Sequence, residues 1–481
     1  RARPLSSGTY ATGARVMETI VGVAHYITDL GAAIALPVII TLFGWFLGLP
    51  FSKAFRAGLT IGIGFIGVGL VITLMSDQVS PAAQSMAGRF GVGLDIVDVG
   101  WPYMGAAAYA TLYGAAIIPL VAGMNLLYLA LGLTRTFNID LWNYWTSAFV
   151  GALVGEVTGS FVWGLVGAAA HMTLMLALAD LTAPIFQKYF ELPGLSLAHG
   201  TSSPYGLFAI PLNWLFDRIP GFNKLDATPE TIQKRLGMIG EPMIMGLFLG
   251  LFIGTLSFAG TSTPPDDVKK ILTLAISMAA VMHLLPQMVG VLVGGLLPIS
   301  EAAQAFVKKR FPSRTLYIGV DSAVAVGHPA VIASGLLLIP ITLALAIALE
   351  PLGNRVLPLV DLAATPFIVA LMVAVFRGNI IRTVAGATIL LVPGLFMATW
   401  VAPLCTAVAA DTHVGTDSSA ATVISLTPGA NPANWFYPAL ASLGDWWVVA
   451  GAVLSFSALA IVAARDKHGE HTNANSQAGL D

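Results

Sequence analysis

Glu191-Leu-Pro-Gly-Leu-Ser-Leu-Ala-His-Gly-Thr-Ser-Ser-Pro-Tyr-Gly206 is the stretch of sequence that decides the fold of this chain. Its prolines and glycines interrupt an α-helix repeatedly. Its polar centre, His199 to Ser203, lies between two apolar runs, where hydrocarbon penalises any polar group left without a partner. Broken backbone at membrane depth is tolerated only where it is buried in protein or lines a cavity. The stretch therefore predicts a re-entrant hairpin over about residues 192–215, of the kind that transporters build around a substrate.

The composition is that of a membrane protein. Of 481 residues, 56% are hydrophobic and only 10% are charged, whereas soluble domains have roughly 45–50% and about 25%. The mean hydropathy of +0.81 agrees with this contrast. The net charge of −2 predicts no nucleic-acid partner, and the single cysteine excludes disulfides within the chain and a multi-cysteine metal site. The composition therefore predicts an all-α polytopic protein surrounded by membrane lipid.

Apolar runs of about the 20 residues needed to cross a bilayer recur along the chain. They predict about eleven transmembrane helices plus two re-entrant hairpins, at about residues 192–215 and 315–331. The runs lie at about residues 31–49, 57–75, 106–133, 142–160, 161–181, 243–259, 271–298, 332–348, 362–376, 380–402 and 446–464. We interpret residues 1–15 as a disordered leader, residues 16–465 as one membrane-embedded domain and residues 466–481 as a cytoplasmic tail.

The basic residues orient these runs. With the runs placed as above, the lysines and arginines of the loops gather on one side of the membrane, which should be the cytoplasmic side. Residues 403–445 contain no Lys or Arg and fall on the opposite side, where residues 406–444 are predicted to form an outer loop. The prediction is an N-terminus outside and a C-terminus inside, against which Arg1, Arg3 and Arg15 argue.

The first interruption carries the first candidate site. His199, Gly200 and Thr201 offer a ring nitrogen, unpaired backbone N–H groups and a hydroxyl. Such groups suit a ligand with many hydroxyls, which needs several short directional hydrogen bonds. The structural alternative is a histidine that caps the loop by bonding to its backbone.

The second interruption carries an ionisable residue, Asp321, after Ile318-Gly-Val320. A charge inside a membrane costs at least about 2.5–3.5 kcal/mol, so such residues are candidates for function. An ionised carboxylate accepts two sugar hydroxyls or orients one for attack, which makes Asp321 the predicted catalytic residue. The alternative is a carboxylate that caps the following helix. His328 is a further candidate for the ligand site, although packing beside Pro329 explains it nearly as well.

Four more residues are candidates for ligand contact, each with a structural alternative. Glu241 precedes Pro242 at the start of an apolar run, where a carboxylate facing the helix dipole is an equally good explanation. Asp98 and Trp101 precede another run, where anchoring at the membrane interface explains the tryptophan. Phe65 can offer an aromatic face, but the glycines around it favour close helix packing over a dinucleotide site.

Seven motifs, taken in order, resemble the galactitol-specific membrane subunit, enzyme IIC, of the bacterial sugar phosphotransferase system (PTS). They are Gly58-Leu-Thr-Ile-Gly-Ile-Gly-Phe-Ile-Gly-Val-Gly69, Val97-Asp-Val-Gly-Trp-Pro102, Asn138-Ile-Asp-Leu-Trp-Asn143, Phe190-Glu191 with Ala198-His-Gly-Thr-Ser202, Gly240-Glu-Pro242, Ile318-Gly-Val-Asp321 with Gly327-His328, and Arg377-Gly-Asn379. The resemblance covers nearly the whole chain, from about residue 17 to 465. The ascorbate-specific transporters are more distant relatives.

The resemblance implies a homodimer in which each protomer has a rigid dimerisation part and a mobile core with two re-entrant hairpins. It implies elevator-like movement of the core, and it puts the family's critical hairpin histidine and later aspartate on His199 and Asp321. The implied function is that of an inner-membrane permease. It binds a polyol, with galactitol first, and moves it inward, where a separate IIB protein carrying phosphocysteine phosphorylates it, with IIA upstream. No cofactor is implied.

The chain departs from the galactitol pattern at Tyr103-Met-Gly-Ala-Ala107, where a stretch with Ser and Thr is expected, and at Thr146, where a histidine is common. The sequence therefore does not select one polyol. An ion-coupled secondary transporter, with Asp321 and Glu241 carrying protons or binding Na⁺, is the alternative from another class. The sequence shows no nucleophile–base pair and no metal-ligand spacing such as HExxH, which argues against an intramembrane hydrolase.

Overall fold

The computed structural model describes residues 32–90, 94–138, 140, 143–224, 227–231, 242–310, 315–358, 360–411 and 422–478. Within these residues the chain is mostly helical, as the composition predicts. The α-helices are α1 (Ala32–Phe46), α2 (Phe51–Phe90), α3 (Trp101–Ala110), α4 (Leu112–Leu131), α5 (Trp145–Thr158), α6 (Phe161–Phe190), α7 (Ser203–Phe216), α8 (Pro242–Phe258), α9 (Pro264–Arg310), α10 (Ala323–Val326), α11 (Pro329–Ala348), α12 (Thr365–Val375), α13 (Ile380–Asp411), α14 (Leu426–Gly429), α15 (Pro432–Ser442) and α16 (Trp447–Ala478).

Short strands interrupt the helices, a feature that the all-α prediction did not include. They are β1 (Ile96–Asp98), β2 (Thr136–Asn138), β3 (Leu195–Leu197), β4 (Tyr317–Val320), β5 (Val356–Leu357) and β6 (Thr422–Ile424). They pair in parallel in two three-stranded sheets, with the strand orders β5-β1-β6 and β2-β4-β3. In the second sheet, Ile318 of the central strand lies opposite Phe137 and Leu195.

The strands provide hydrogen-bond partners for backbone groups that lie between helices. Residues between helices have N–H and C=O groups without helical partners, and the interior of a membrane protein tolerates such groups only when other groups bond to them. Pairing three interrupted segments side by side provides those bonds. Gly319 allows the close approach, because a Cβ there would lie 2.9 Å from Thr136 Cγ2 and 3.0 Å from Asn138 Cα.

The order of elements occurs twice. From α1 to α7 the chain runs through a helix, a long helix, a strand, two helices, a strand, a helix, a long helix, a strand and a helix. It follows the same order from α8 to α15, with α14 and α15 together in the place of α7. Each sheet takes its central strand from one half and its outer strands from the other. The chain is therefore an interleaved duplication, an organisation common among transporters.

Both predicted interruptions contain broken backbone. The first consists of β3, the turn at residues 198–202 and α7, and the second consists of β4, α10 and the turn before α11. Helix α11 begins at Pro329, so it includes the end of the predicted hairpin at 315–331.

Residues 422–442 correct the prediction of an outer loop at residues 406–444. They form β6, α14 and α15, and residues 423–431 are all buried. By its place in the duplication, this segment is the counterpart of β3 and α7. The absence of Lys and Arg, taken as a sign of the outer side, is equally a property of a buried segment.

Within the described residues, six helices are long and apolar enough to cross a membrane, and the chain is a multi-pass membrane protein. These spans are Phe51–Met75, Leu112–Leu131, Phe161–Phe190, Pro329–Ala348, Ile380–Ala410 and Trp447–Arg465. Shorter apolar helices lie at Gly246–Phe258 and Thr365–Val375. The count of eleven spans stays a prediction.

Several boundaries differ from the predicted ones. The single run predicted at 106–133 is divided into α3 and α4, because Thr111 has an extended backbone and its hydroxyl accepts the N–H of Gly114 at 3.1 Å. Helices α2 and α9 have 40 and 47 residues and extend well beyond the predicted runs. Helix α16 continues to Ala478, through most of the predicted tail. The leader at residues 1–15 lies outside the described residues.

Candidate functional site

The two predicted interruptions meet at His199 and Asp321. Strands β3 and β4 are parallel neighbours, so the residues that follow them emerge at the same edge of the sheet. Nε2 of His199 lies 3.2 Å from Oδ2 of Asp321, and Nδ1 lies 2.8 Å from the hydroxyl of Ser322. His199 is 4% exposed and Asp321 is 7% exposed. The register of the sheet thus places a buried histidine against a buried carboxylate.

The two carboxylate oxygens of Asp321 have different partners. Oδ1 accepts the N–H of Ala323 at 2.6 Å, which is the helix-capping role considered as the alternative. Oδ2 faces His199. A neutral His199 that donates Nε2–H to Asp321 can accept the Ser322 hydroxyl at Nδ1. The capping bond and the histidine contact therefore coexist.

Two further carboxylates fix the strands on either side of β4. Asp140 follows β2, and its Oδ2 accepts the N–H of Asp321 at 3.2 Å. Asp180, on α6, accepts the hydroxyl of Thr136 at 2.7 Å. That Thr136 hydroxyl also lies 2.8 Å from Ser196 Oγ on β3. This network ties β2 to β3 and so holds the strand that precedes His199.

Two buried oxygens beside this sheet edge have no hydrogen-bond partner among the described residues. Gly200 packs so closely on α5 that a Cβ there would lie 2.3 Å from Thr146 Oγ1. Asn143 donates to Asn138, at the end of β2, at 2.6 Å. Thr146 Oγ1 and Asn143 Oδ1 themselves find no hydrogen-bond partner within the described part of the chain. Since buried polar atoms are normally bonded, both oxygens are candidates for hydrogen bonds to hydroxyl groups of a ligand.

Asp98 belongs to a separate cluster, at the end of β1 in the other sheet. Its Oδ1 accepts the N–H of Leu426 at 3.1 Å, and its Oδ2 accepts the N–H of Asp361 at 2.8 Å. Asp361 in turn accepts the N–H groups of Trp101 and Thr427, each at 2.8 Å. Both carboxylates are therefore engaged by backbone groups. These contacts are those expected of a structural residue, and none of them is to His199.

Trp101 is connected to the turn by one intervening residue. Its ring lies 6.4 Å from that of Phe367, and the Phe367 carbonyl accepts the hydroxyl of Ser202. Trp101 thus packs behind the turn that carries His199. Glu241 and the side chain of Phe65 lie outside the described residues.

His328 makes the contacts of a helix cap. Its Nδ1 accepts the N–H of Ala330 at 3.2 Å at the start of α11. Its ring packs against Tyr189 and Phe190, with centroid distances of 5.0 and 5.5 Å. These contacts match the packing explanation of His328 and do not support a place in the ligand site.

Comparison with known proteins decides the family. Residues 26–418 match the family described as "EIIC-GAT: PTS system sugar-specific permease component". The "PTS system galactitol-specific EIIC component" of Escherichia coli (strain K12) is 38% identical over 413 residues, which cover 86% of this chain and 89% of that protein. A "Putative permease IIC component" of the same strain is 39% identical over 424 residues, covering 88% and 95%. This chain belongs to the sugar-specific permease family of the PTS.

Family membership confirms the resemblance seen in the motifs and determines the kind of protein. A PTS permease component is the transport subunit of a phosphotransferase complex and is not an enzyme by itself. It works with phosphotransferase proteins of the IIA and IIB type. Membership also decides against the ion-coupled secondary transporter, the alternative from the sequence.

Sequence reasoning missed three residues that line or hold this part of the permease. Asp140 carried a usable signal, because it is an ionisable residue between apolar runs and belongs to a quoted motif. Thr146 was noticed only as a departure from the galactitol pattern. Asn431, whose amide donates to the Gly200 carbonyl at 2.8 Å, carried no signal, since its segment was expected outside the protein core.

We expect the replacement of Asp98 by asparagine to destabilise the permease. An amide there turns a donor toward the backbone N–H of Asp361 or Leu426, and an unsatisfied buried donor costs about 1–3 kcal/mol. Thermal unfolding in detergent should show a lower midpoint, while the folded fraction keeps its ligand affinity. The exposed residue Asp445 supplies the control Asp445→Asn, which should melt like the wild type. An unchanged unfolding midpoint combined with weaker ligand binding would instead support the prediction that Asp98 contacts the ligand.

Proposed function

We propose that this permease binds a polyol, with galactitol as the first candidate, and moves it inward coupled to its phosphorylation by a separate IIB protein carrying phosphocysteine. The observation that carries the proposal is the contact between His199 and Asp321 at the common edge of β3 and β4. The galactitol-specific relative supplies the choice of polyol.

The chemistry of a polyol fits the groups at this edge. Each hydroxyl both donates and accepts, so a polyol needs acceptors and donors arranged together. Asp321, Thr146 and Asn143 would supply acceptor oxygens, and His199 would supply a ring nitrogen by exchanging its bond to Ser322 or to Asp321 for one to the polyol. A site built to bond hydroxyls discriminates strongly against solutes that lack them, because its buried polar groups are then left unpaired.

Asp321 is the proposed catalytic residue. It would hold the hydroxyl that reacts and accept its proton while that oxygen forms a bond to phosphorus. The bond between phosphorus and the cysteine sulfur of IIB breaks in the same transfer. His199 would hold the polyol and, through its contact with Asp321, orient the carboxylate.

Access to the site requires movement. His199 and Asp321 are almost fully buried, so a polyol reaches them only when the surrounding elements rearrange. We propose the elevator movement that the family resemblance implies. The single membrane domain at residues 16–465 would contain a mobile core with two re-entrant interruptions and a dimerisation part that pairs two protomers. The interleaved duplication supports a core that moves as one body.

The proposed placement is the inner membrane, with the N-terminus outside and the C-terminus in the cytoplasm. It rests on the bias of Lys and Arg toward one side. IIB would dock on that side, near the basic loops at residues 218–235 and 308–314, guided by charge.

Reconstitution tests the function as a whole. Vesicles that contain this chain, IIB and the upstream phosphate donors should form galactitol phosphate inside, and omission of IIB should stop it. An ionophore that collapses ion gradients should leave this uptake largely intact. Vesicles that accumulate unmodified polyol, or form no polyol phosphate, would contradict the proposal. A panel of hexitols, pentitols and ascorbate, titrated against the purified protein, identifies the ligand.

The substitution Thr146→Val tests whether the hydroxyl of Thr146 binds the polyol. Valine keeps the shape of threonine and removes a buried hydroxyl that has no partner in the described part of the chain, so stability should stay equal or rise. If that hydroxyl bonds the polyol, affinity should fall by about 3- to 10-fold, the value of one hydrogen bond. Calorimetry with the preferred hexitol and a melting curve measure the two effects. Full affinity would remove Thr146 from the site.

A further inference from the structure

Asn431 connects the two halves of the duplication at the turn that carries His199. It precedes α15, and its Oδ1 caps that helix by accepting the N–H of Ala433 at 3.1 Å. Its Nδ2 donates to the carbonyls of Gly200 and Thr201, at 2.8 and 3.2 Å. The side chain is fully buried. One amide thus links the start of α15 to the break between β3 and α7.

The two carbonyls lie where the backbone changes from strand to helix. Their neighbours on either side, His199 and Ser202, have carbonyls that accept N–H groups from the first turn of α7, at 3.0 and 3.1 Å. The carbonyls of Gly200 and Thr201 accept the amide of Asn431 instead. This amide therefore contributes to the backbone conformation that directs the His199 ring at Asp321.

Asn431 is itself held in place. One turn further along α15, Asn434 lies 3.0 Å from Nε2 of His171 on α6. Nδ1 of His171 lies 2.9 Å from the hydroxyl of Ser147 on α5. Ser147 is the neighbour of Thr146, which packs on Gly200. The start of α15, the start of α5 and the turn thus form one bonded unit.

We infer that Asn431 is a positioning residue for ligand binding: it holds the Gly200–Thr201 backbone and thereby the orientation of His199 toward Asp321. The inference rests on the proposed function, since it assumes that His199 binds the polyol. Because α15 belongs to the second half of the chain, polyol affinity then depends on contact between the halves.

Asn354 provides a matched control. Its Nδ2 also donates to two carbonyls, those of Ala346 and Val356, at 2.9 and 3.2 Å. It is as buried as Asn431, but it lies beside β5 in the other sheet. A general effect of losing a buried asparagine should appear equally at both positions.

The test compares Asn431→Ser, Asn431→Asp and Asn354→Ser in the full-length protein. Serine keeps a good helix cap but does not reach the two carbonyls. Aspartate keeps the cap and turns a carboxylate toward them. Affinity for the hexitol that the wild type binds is measured by calorimetry, and stability by thermal unfolding.

We expect Asn431→Ser to weaken affinity about tenfold, the value of one to two hydrogen bonds, and Asn431→Asp to weaken it more. Asn354→Ser should lower the unfolding midpoint and leave affinity at the wild-type value. Wild-type affinity in Asn431→Ser, or an equal loss of affinity in Asn354→Ser, would overturn the inference.

A double-mutant cycle separates positioning from an independent contact. His199→Gln is measured alone and together with Asn431→Ser. If Asn431 acts through His199, the double variant binds little worse than His199→Gln alone, so the effects are not additive. Additive losses would overturn the inference. If His199→Gln binds like the wild type, the proposed site has failed; if it loses affinity while Asn431→Ser does not, only the positioning role has failed.

Discussion

Asparagine in place of Asp321 is expected to remove tight polyol binding and to stop phosphorylating uptake. The substitution keeps the shape of the side chain and one oxygen, so the capping bond to Ala323 can remain. In asparagine an NH₂ group takes the place of one carboxylate oxygen. If the remaining oxygen keeps the capping bond, the NH₂ group faces His199; if the side chain turns over, the NH₂ group faces Ala323 instead. A hydrogen bond to a charged group contributes about 1.5–3 kcal/mol, which corresponds to roughly 10- to 150-fold in Kd. Uptake should fall further, because asparagine cannot accept the proton of the reacting hydroxyl.

Calorimetry with the preferred hexitol measures the binding loss, and polyol phosphate formed in vesicles measures the transfer. Asp445→Asn is the control, since Asp445 is exposed and lies just before α16. A wild-type melting curve for Asp321→Asn is needed to assign the loss to the site. Unaltered affinity would exclude Asp321 from ligand binding. Normal affinity with lost phosphorylation would restrict it to the transfer step.

The second large effect is expected from Gly200→Ala. The new Cβ would lie 2.3, 2.8 and 3.0 Å from Oγ1, Cβ and Cγ2 of Thr146. Threonine is short and branched at Cβ, so it cannot turn out of the way. The turn must therefore move away from α5, which displaces His199 from Asp321 and strains the bond to Asn431. We expect uptake to be abolished and stability to fall by about 1–3 kcal/mol, as for other overpacked sites.

Gly123→Ala is the matched control, because Gly123 lies on α4 with open space around its Cα. Alanine there should be neutral or slightly stabilising, since it is the better helix former. The double variant Gly200→Ala with Thr146→Ala removes two of the three close contacts and should recover part of the lost stability. Full uptake by Gly200→Ala alone would show that the turn tolerates displacement and that the geometry of His199 is not critical.

The central pair of the proposed site could be found from the sequence, and its surroundings could not. His199 and Asp321 were identifiable because each interrupts an apolar run with a polar or charged group whose burial is costly. Thr146 carries no such cost signal, since threonine is common in membrane helices. Thr146 became a candidate only because the structure places it against Gly200 with no hydrogen-bond partner for its hydroxyl among the described residues. Asn431 was missed for a different reason. Its segment lacks basic residues, which is true of outer loops and of buried segments alike, so the sequence did not show that Asn431 is buried.

By itself, the sequence determined that this chain is a multi-pass membrane permease of the phosphotransferase system, because composition and ordered motifs are properties of the chain read residue by residue. Only the tertiary structure decided that β4 of one half pairs between β2 and β3 of the other. Backbone hydrogen bonds form these strands, and nearly any side chain permits such bonds, so strands of two to four residues leave no pattern to recognise. The same pairing decides which polar groups meet His199 and assigns Asp98 to a different cluster.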